Sequence, residues 1–168
     1  MTRCVEAHYD CRSRARLASP LHDGKRAEGR IGAIRPDTKL VTVMLANNET
    51  GVLQPVEEIG RVAAEADVLF HTDAVQAAGK VAIDVKRLRC HALSISGHKL
   101  HGPQGTGALF LKKGTQLQPL FHGGRHERSR RAGTENVPGI VGLGAAAKLA
   151  REGLNNGAVE RLGAMRDR

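Results

Sequence analysis

The chain has 168 residues, room for one compact core plus extra pieces rather than two full domains, and its 40% hydrophobic and 26% charged residues argue against a wholly disordered polypeptide. No apolar run reaches the ~18 residues of a bilayer-crossing helix, which argues against a membrane-spanning protein. Its 26 basic and 17 acidic residues give a net charge of +9, but with aromatics at only 2% there are almost no stacking platforms for single-stranded nucleic acid; small anionic ligands remain open.

From Met1 to Lys39 the sequence has nine basic and five acidic residues and no sustained period of 2 or 3.6, so it reads as loop, with Ile31 to Asp37 resembling the end of a helix and its turn. Leu40 to Ala46 (LVTVMLA) is a β-branched, nearly continuous apolar run, the mark of a strand buried on both faces of a parallel sheet. After the polar turn NNETG, Pro55 opens a helix whose Val56, Ile59, Val62, Ala63 and Ala66 form one stripe, with Glu57 and Glu58 placed favourably in its first turn. Val68 to Thr72 is a second strand. A strand, crossover helix and strand in this order form a right-handed parallel unit.

A short helix is expected from about Asp73, followed by a third strand, His91 to Ser96. Gly107 to Lys113 comes after a loop too short for a helical crossover and therefore returns antiparallel, so the fold class is α/β with a mixed, mostly parallel sheet. Beyond a Gly- and Arg-rich loop, Pro138 starts a helix with Ile140, Val141, Ala145 and Leu149 inward and Gly153 as its end. A last helical fragment carries Val159, Leu162 and Met165.

Ligands of open α/β sheets bind outside the carboxyl ends of the strands. There the sequence places Asn47, Asn48 and Glu49, then His71, Asp73 and Gln76, then Ser96, His98 and Lys99. Three consecutive strands thus deliver polar or titrating groups to one rim, which a single, partly anionic ligand explains economically. Lys99, beside Gly97 and His98, is suited to Schiff-base chemistry if desolvated, and is otherwise a solvated surface lysine. Asp73 at a buried strand end needs a cation such as a protonated pyridine nitrogen, or else caps the following helix. Similarly, Asn48 could cap its turn, Ser96 satisfy a backbone group, His98 be a satisfied core histidine, and Thr134 cap the helix near Pro138.

The three cysteines, Cys4, Cys11 and Cys90, come without a secretory leader and point to a reducing, cytoplasmic setting. Cys4, His8 and Cys11 have no second close pair to complete a zinc site, so no metal is expected.

In this order and spacing, NNETG, HTDAVQAAGK, SISGHKLHGPQGTGALFLKKG and the segment HGG to RRAGTENVPGIVGLGAA closely resemble the cysteine desulfurases, pyridoxal-phosphate enzymes of aminotransferase class V and fold type I. The resemblance runs from about Ile34 to Ala150, and selenocysteine lyases share much of it. It implies that Lys99 binds pyridoxal 5'-phosphate covalently, that Asp73 pairs with the pyridinium nitrogen, and that Asn48 and Gln76 bond the side of the ring carrying the phenolic oxygen. Ser96 and His98 would hold the phosphate, while Thr134 would reach the cofactor of a neighbouring subunit, implying a homodimer.

The implied activity is conversion of L-cysteine to L-alanine with sulfur passed to an acceptor protein, such as an iron–sulfur scaffold, for cluster or thiol-cofactor assembly. The segments that carry the family's upstream phosphate turn and stacking histidine, its downstream nucleophilic cysteine and its substrate-carboxylate arginine do not match within these residues. The expectation is therefore an incomplete fold-type-I large domain, inactive in desulfuration by itself: residues 1–33 irregular, 34–153 cofactor-binding, and 154–168 a helical connection to a further domain. A non-enzymatic interaction module retaining the fold, or a selenocysteine lyase-like enzyme, is the alternative.

Overall fold

The structure is a computed structural model and describes residues 3–7 and 34–168. Among them, five strands form one sheet in the spatial order β1 (Arg3–Ala7), β2 (Thr38–Met44), β3 (Leu69–Asp73), β4 (Ala92–Ser96) and β5 (Gly107–Leu111). The first four are parallel, and β5 returns antiparallel along β4, as the short connecting loop requires. β1 arises in a stretch that carries no periodic signal of its own. The zinc candidates His8 and Cys11 lie outside the described residues, as does most of the expected irregular segment.

Burial alternates across the paired rows of β2, β3 and β4. Val41, Val43, Phe70, Thr72 and Leu93 are buried on one face, whereas Thr42, Met44, His71, Asp73 and Ser94 point to the other and are half-buried. Helix α1 (Val56–Glu65) covers the first face with Val56, Ile59 and Ala63, much as the stripe predicts, although Ala66 is exposed. Gly60 takes the fourth place because a Cβ there would collide with the Leu88 carbonyl oxygen.

Two expectations need correction. The short helix expected from Asp73 is a run of turns: the Ala78 N–H reaches the Ala74 carbonyl at 2.8 Å, but Gly79, at φ +73°, diverts the chain before a helix develops. Helix α2 (Val137–Asn155) continues past Gly153, and the side it buries is not the one expected. Gly139, Leu143 and Ala146 face inward, while Ile140 (47% exposed), Val141 (66%) and Leu149 (66%) face out and Ala145 is exposed as well. The physical reason is close approach. A Cβ on Gly139 or Gly142 would press into Thr106 or Pro103, so α2 turns its small residues toward that loop. Helix α3 (Ala158–Arg166) follows, with Leu162 and Met165 exposed. No helix among the described residues is long and apolar enough to cross a membrane.

Candidate active site

The carboxyl ends of β2, β3 and β4 lie side by side because Met44 pairs with Asp73 and Asp73 with Ser94. Main-chain bonds extend this alignment beyond the strands: the Leu45 N–H donates to the Asp73 carbonyl at 2.8 Å, and the Ala74 N–H to the Ser94 carbonyl at 3.0 Å. The residues following all three strands therefore share one edge, as the parallel topology requires.

At the end of β2 it is Asn47, not Asn48, that organises the turn. Its Oδ1 accepts from the N–H groups of Glu49 (2.9 Å) and Thr50 (2.8 Å) and from Thr50 Oγ1 (3.0 Å). Asn48 is left exposed beside it, with its amide not engaged in that turn. Asp73 ends β3 half-buried, and its Oδ1 accepts the Val75 N–H at 2.8 Å. This Asx-type bond fixes the carboxylate while Oδ2 retains accepting capacity. Gln76 follows in the same turn, half-buried, its main-chain carbonyl accepting from Lys80 Nζ at 3.0 Å.

β4 runs directly into a 3-10 turn, Gly97–Leu100, which carries His98 and Lys99. Ser96 Oγ and His98 Nδ1 are 2.8 Å apart. Gly97 between them is buried, and a Cβ there would stand 2.6 Å from Thr106 Oγ1 and 3.0 Å from the Pro103 carbonyl oxygen. The turn is held by the Gly97 N–H on the Thr106 carbonyl (2.8 Å) and the Gly102 N–H on the Gly97 carbonyl (2.9 Å). Leu100 anchors it against Leu143 and Ala146 of α2. Lys99 is half-buried on this braced turn and forms no ion pair among the described residues.

Thr134 is exposed in the loop before α2. It does not cap that helix. Asn136 does, accepting the Gly139 N–H at 3.1 Å. Sequence reasoning did not single out Thr106, Pro103 or Asn136, although a Gly- and Pro-containing loop between two strands signals close packing against a neighbouring turn. Among the described residues, no group of three or more His, Cys, Asp or Glu side chains is arranged to hold a metal.

A lysine on a strand-end turn, a carboxylate at the neighbouring strand end and a Ser–His pair beside them are ordered as in a known group of enzymes: the sequence pattern of Aminotransferase class-V matches residues 5–163. The chain belongs to the aminotransferase class-V family. It is 61% identical over 118 residues to the cysteine desulfurase IscS of Methanosarcina thermophila, which covers 70% of this chain and 29% of that protein. Solved structures agree. SspA in complex with cysteine superposes with a TM-score of 0.71 at 48% identity, covering 73% of this chain and 36% of that one. A NifS-like protein gives 0.75 at 43% identity, covering 79% and 37%. The chain spans about a third of the length of the curated relatives it matches.

The resemblance to cysteine desulfurases and the mixed α/β fold expected from the sequence are thereby established, and the class-V family is one of pyridoxal-phosphate enzymes. The residues at the edge suit such a cofactor by their chemistry. Asp73 offers an oxygen that can accept from a protonated ring nitrogen, Ser96 and His98 form a donor pair for a phosphate, and Lys99 supplies an amine that no carboxylate among the described residues pairs with.

Proposed function

We propose that this chain contributes the cofactor-binding edge of a cysteine desulfurase, with pyridoxal 5'-phosphate bound covalently by Lys99 and L-cysteine as substrate. The observation that carries this reading is the placement of Asp73, Ser96, His98 and Lys99 at the adjoining ends of two paired parallel strands. Residues 34–153 form this part of the large domain, and 154–168 begin the connection onward.

Each side chain has a separate task. Asp73, held by the Val75 N–H, keeps a proton on the pyridine nitrogen through its free oxygen. Asn48 and Gln76 bond the side of the ring carrying the phenolic oxygen, and Ser96 and His98 hold the phosphate. When bound, pyridoxal phosphate supplies an electron sink for bonds at the amino acid's α-carbon. Lys99 Nζ would take the α-proton of the substrate. The braced 3-10 turn keeps that amine at a fixed height above the strand end, so its pre-organisation is set before substrate arrives.

Thr134, exposed in the loop before α2, reaches the cofactor phosphate of a second copy in a homodimer. The sulfur passes to an acceptor protein such as an iron–sulfur scaffold, in a cytoplasmic setting consistent with the free thiol of Cys90.

The test is covalent trapping. Incubation with pyridoxal phosphate followed by borohydride should add one cofactor to the peptide containing Lys99, and the Lys99→Ala variant should take up none. Label scattered over surface lysines, or equal labelling of Lys99→Ala, overturns the assignment.

A further inference from the structure

The proposed roles leave a hydrogen-bonded histidine on β3 unused. Thr42 Oγ1 lies 2.6 Å from His71 Nδ1, and His71 Nε2 lies 3.2 Å from Ser94 Oγ. The imidazole thus bridges side chains of β2 and β4 across β3, on the half-buried face of the sheet. Thr42 is the register partner of His71, and Ser94 is the register partner of Asp73. Alternation places His71 and Asp73 on one face, two residues apart, and does the same for Ser94 and Ser96. The bridge therefore crosses the sheet immediately below the row that carries Asp73.

On the opposite face, Thr72 Oγ1 donates to the Val43 carbonyl at 2.9 Å. The last residues of β3 are consequently tied to β2 on both faces and to β4 through the imidazole. Either neutral tautomer of His71 satisfies both hydroxyl contacts, because each hydroxyl can donate or accept. The bridge is accordingly a fixed spacer rather than a proton relay that demands one protonation state.

We propose that His71 is a positioning residue for Asp73, holding the ends of β2, β3 and β4 at the spacing that presents the carboxylate to a bound pyridine nitrogen. This rests on the reading of Asp73 given above. It assigns His71 no contact with cofactor or substrate. A histidine is suited to the task because its two ring nitrogens reach both neighbouring strands from one rigid side chain, which neither a valine nor a threonine at this position can do.

The experiment uses the least disruptive changes: Thr42→Val, which keeps the shape and removes one hydroxyl, and Ser94→Ala, which removes the other. His71→Phe removes both bonds while filling the space. In the purified chain, each should weaken pyridoxal-phosphate binding, by about fivefold for the single-bond variants and about tenfold or more for His71→Phe. In an Asp73→Asn background the same changes should have less than about a twofold effect, because the charge being positioned is gone. Equal losses in both backgrounds, or none in either, overturn the proposal. Amide exchange provides a readout independent of the cofactor. The N–H groups of Leu45 and Ala74, which bond the main chain around Asp73, should exchange at least about tenfold faster in Thr42→Val and Ser94→Ala, while the Val68 N–H on the Ala63 carbonyl is unaffected. A parent chain that binds no cofactor refutes the assigned function, and exchange then decides the positioning role alone: unchanged Leu45 and Ala74 rates refute it.

Discussion

Ser96 Oγ and His98 Nδ1 meet at 2.8 Å around a buried glycine that no larger residue can replace without moving Thr106. The two donors are thus brought together by backbone geometry, with Gly97 giving the tight passage from β4 into its 3-10 turn. If they hold a phosphate, Ser96→Ala removes a donor to an anion and leaves His98 without its partner. Charge-assisted hydrogen bonds contribute about 1.5–3 kcal/mol, so affinity for pyridoxal phosphate should fall by about tenfold or more. Affinity for pyridoxal, which has no phosphate, should hardly change. A titration with both ligands separates these outcomes, and equal losses for the two would place Ser96 away from the phosphate.

Asp73 gives a second prediction. Asp73→Asn retains an oxygen for the Val75 N–H, so the turn should survive with little change in melting temperature. The negative charge is lost, and with it about 1.5–3 kcal/mol of interaction with a pyridinium, a weakening of at least tenfold in cofactor binding. Asp73→Ala should bind as weakly and also melt earlier, because the Asx turn is gone. Undiminished affinity in both variants would reduce Asp73 to a turn-forming residue.

The strands were legible because buried parallel strands announce themselves as β-branched runs, and LVTVMLA and HALSIS lie within two residues of β2 and β4 at their ends. The carboxyl-end rule then located the candidate site from topology alone. Helix α2 was misread for a specific reason: Thr106 and Pro103 approach so closely that only glycine fits opposite them at Gly139 and Gly142, and that orientation buries Leu143 and Ala146 while Ile140, Val141 and Leu149 face outward. A hydrophobic stripe assumes that the largest residues are buried, and close packing reverses that preference. Asn47 and Asn136 were missed as capping residues because adjacent polar residues in a turn differ only in backbone angles that the sequence does not display. β1 gave no signal, since a five-residue strand with Arg3 and Glu6 among its members shows little periodicity.

His91 makes stability depend on pH. The Phe70 N–H donates to His91 Nδ1 at 3.1 Å, and burial, with a further contribution from Lys112, lowers the imidazole pKa below its ordinary 6.5 against the opposing pull of Asp67. The folded state therefore binds the proton less readily than the unfolded one, and the stabilisation from neutral His91 is complete above the unfolded pKa. It is lost as pH falls through about 6.5 toward the lower folded value. His91→Asn keeps an acceptor for the Phe70 N–H but does not titrate. Its melting temperature should drop less than the parent's between about pH 7.5 and 5.5; parallel curves for the two proteins would remove His91 as a source of the slope.

Cys90 is the cysteine whose side chain can be placed, and its surroundings make it structural. It is 2% exposed, its Sγ–H is directed at the Val85 carbonyl at 4.0 Å, and burial raises its pKa although the backbone contact and Lys112 oppose that shift. A thiol held neutral is a poor nucleophile. It also sits at the wrong end of β4: the five residues of that strand, at ~3.3 Å each, put more than ~16 Å between Cys90 and the turn carrying Lys99. Sulfur transfer requires a thiolate within a few ångströms of the substrate sulfur. Cys90 should therefore resist alkylation until the chain unfolds. Cys90→Ala should lower the melting temperature by opening a small cavity beneath the sheet, yet leave borohydride trapping at Lys99 and any alanine release from L-cysteine at parental levels. Rapid alkylation of the folded protein, or loss of L-cysteine turnover in Cys90→Ala with trapping intact, would make Cys90 a reacting group and overturn its assignment to the core.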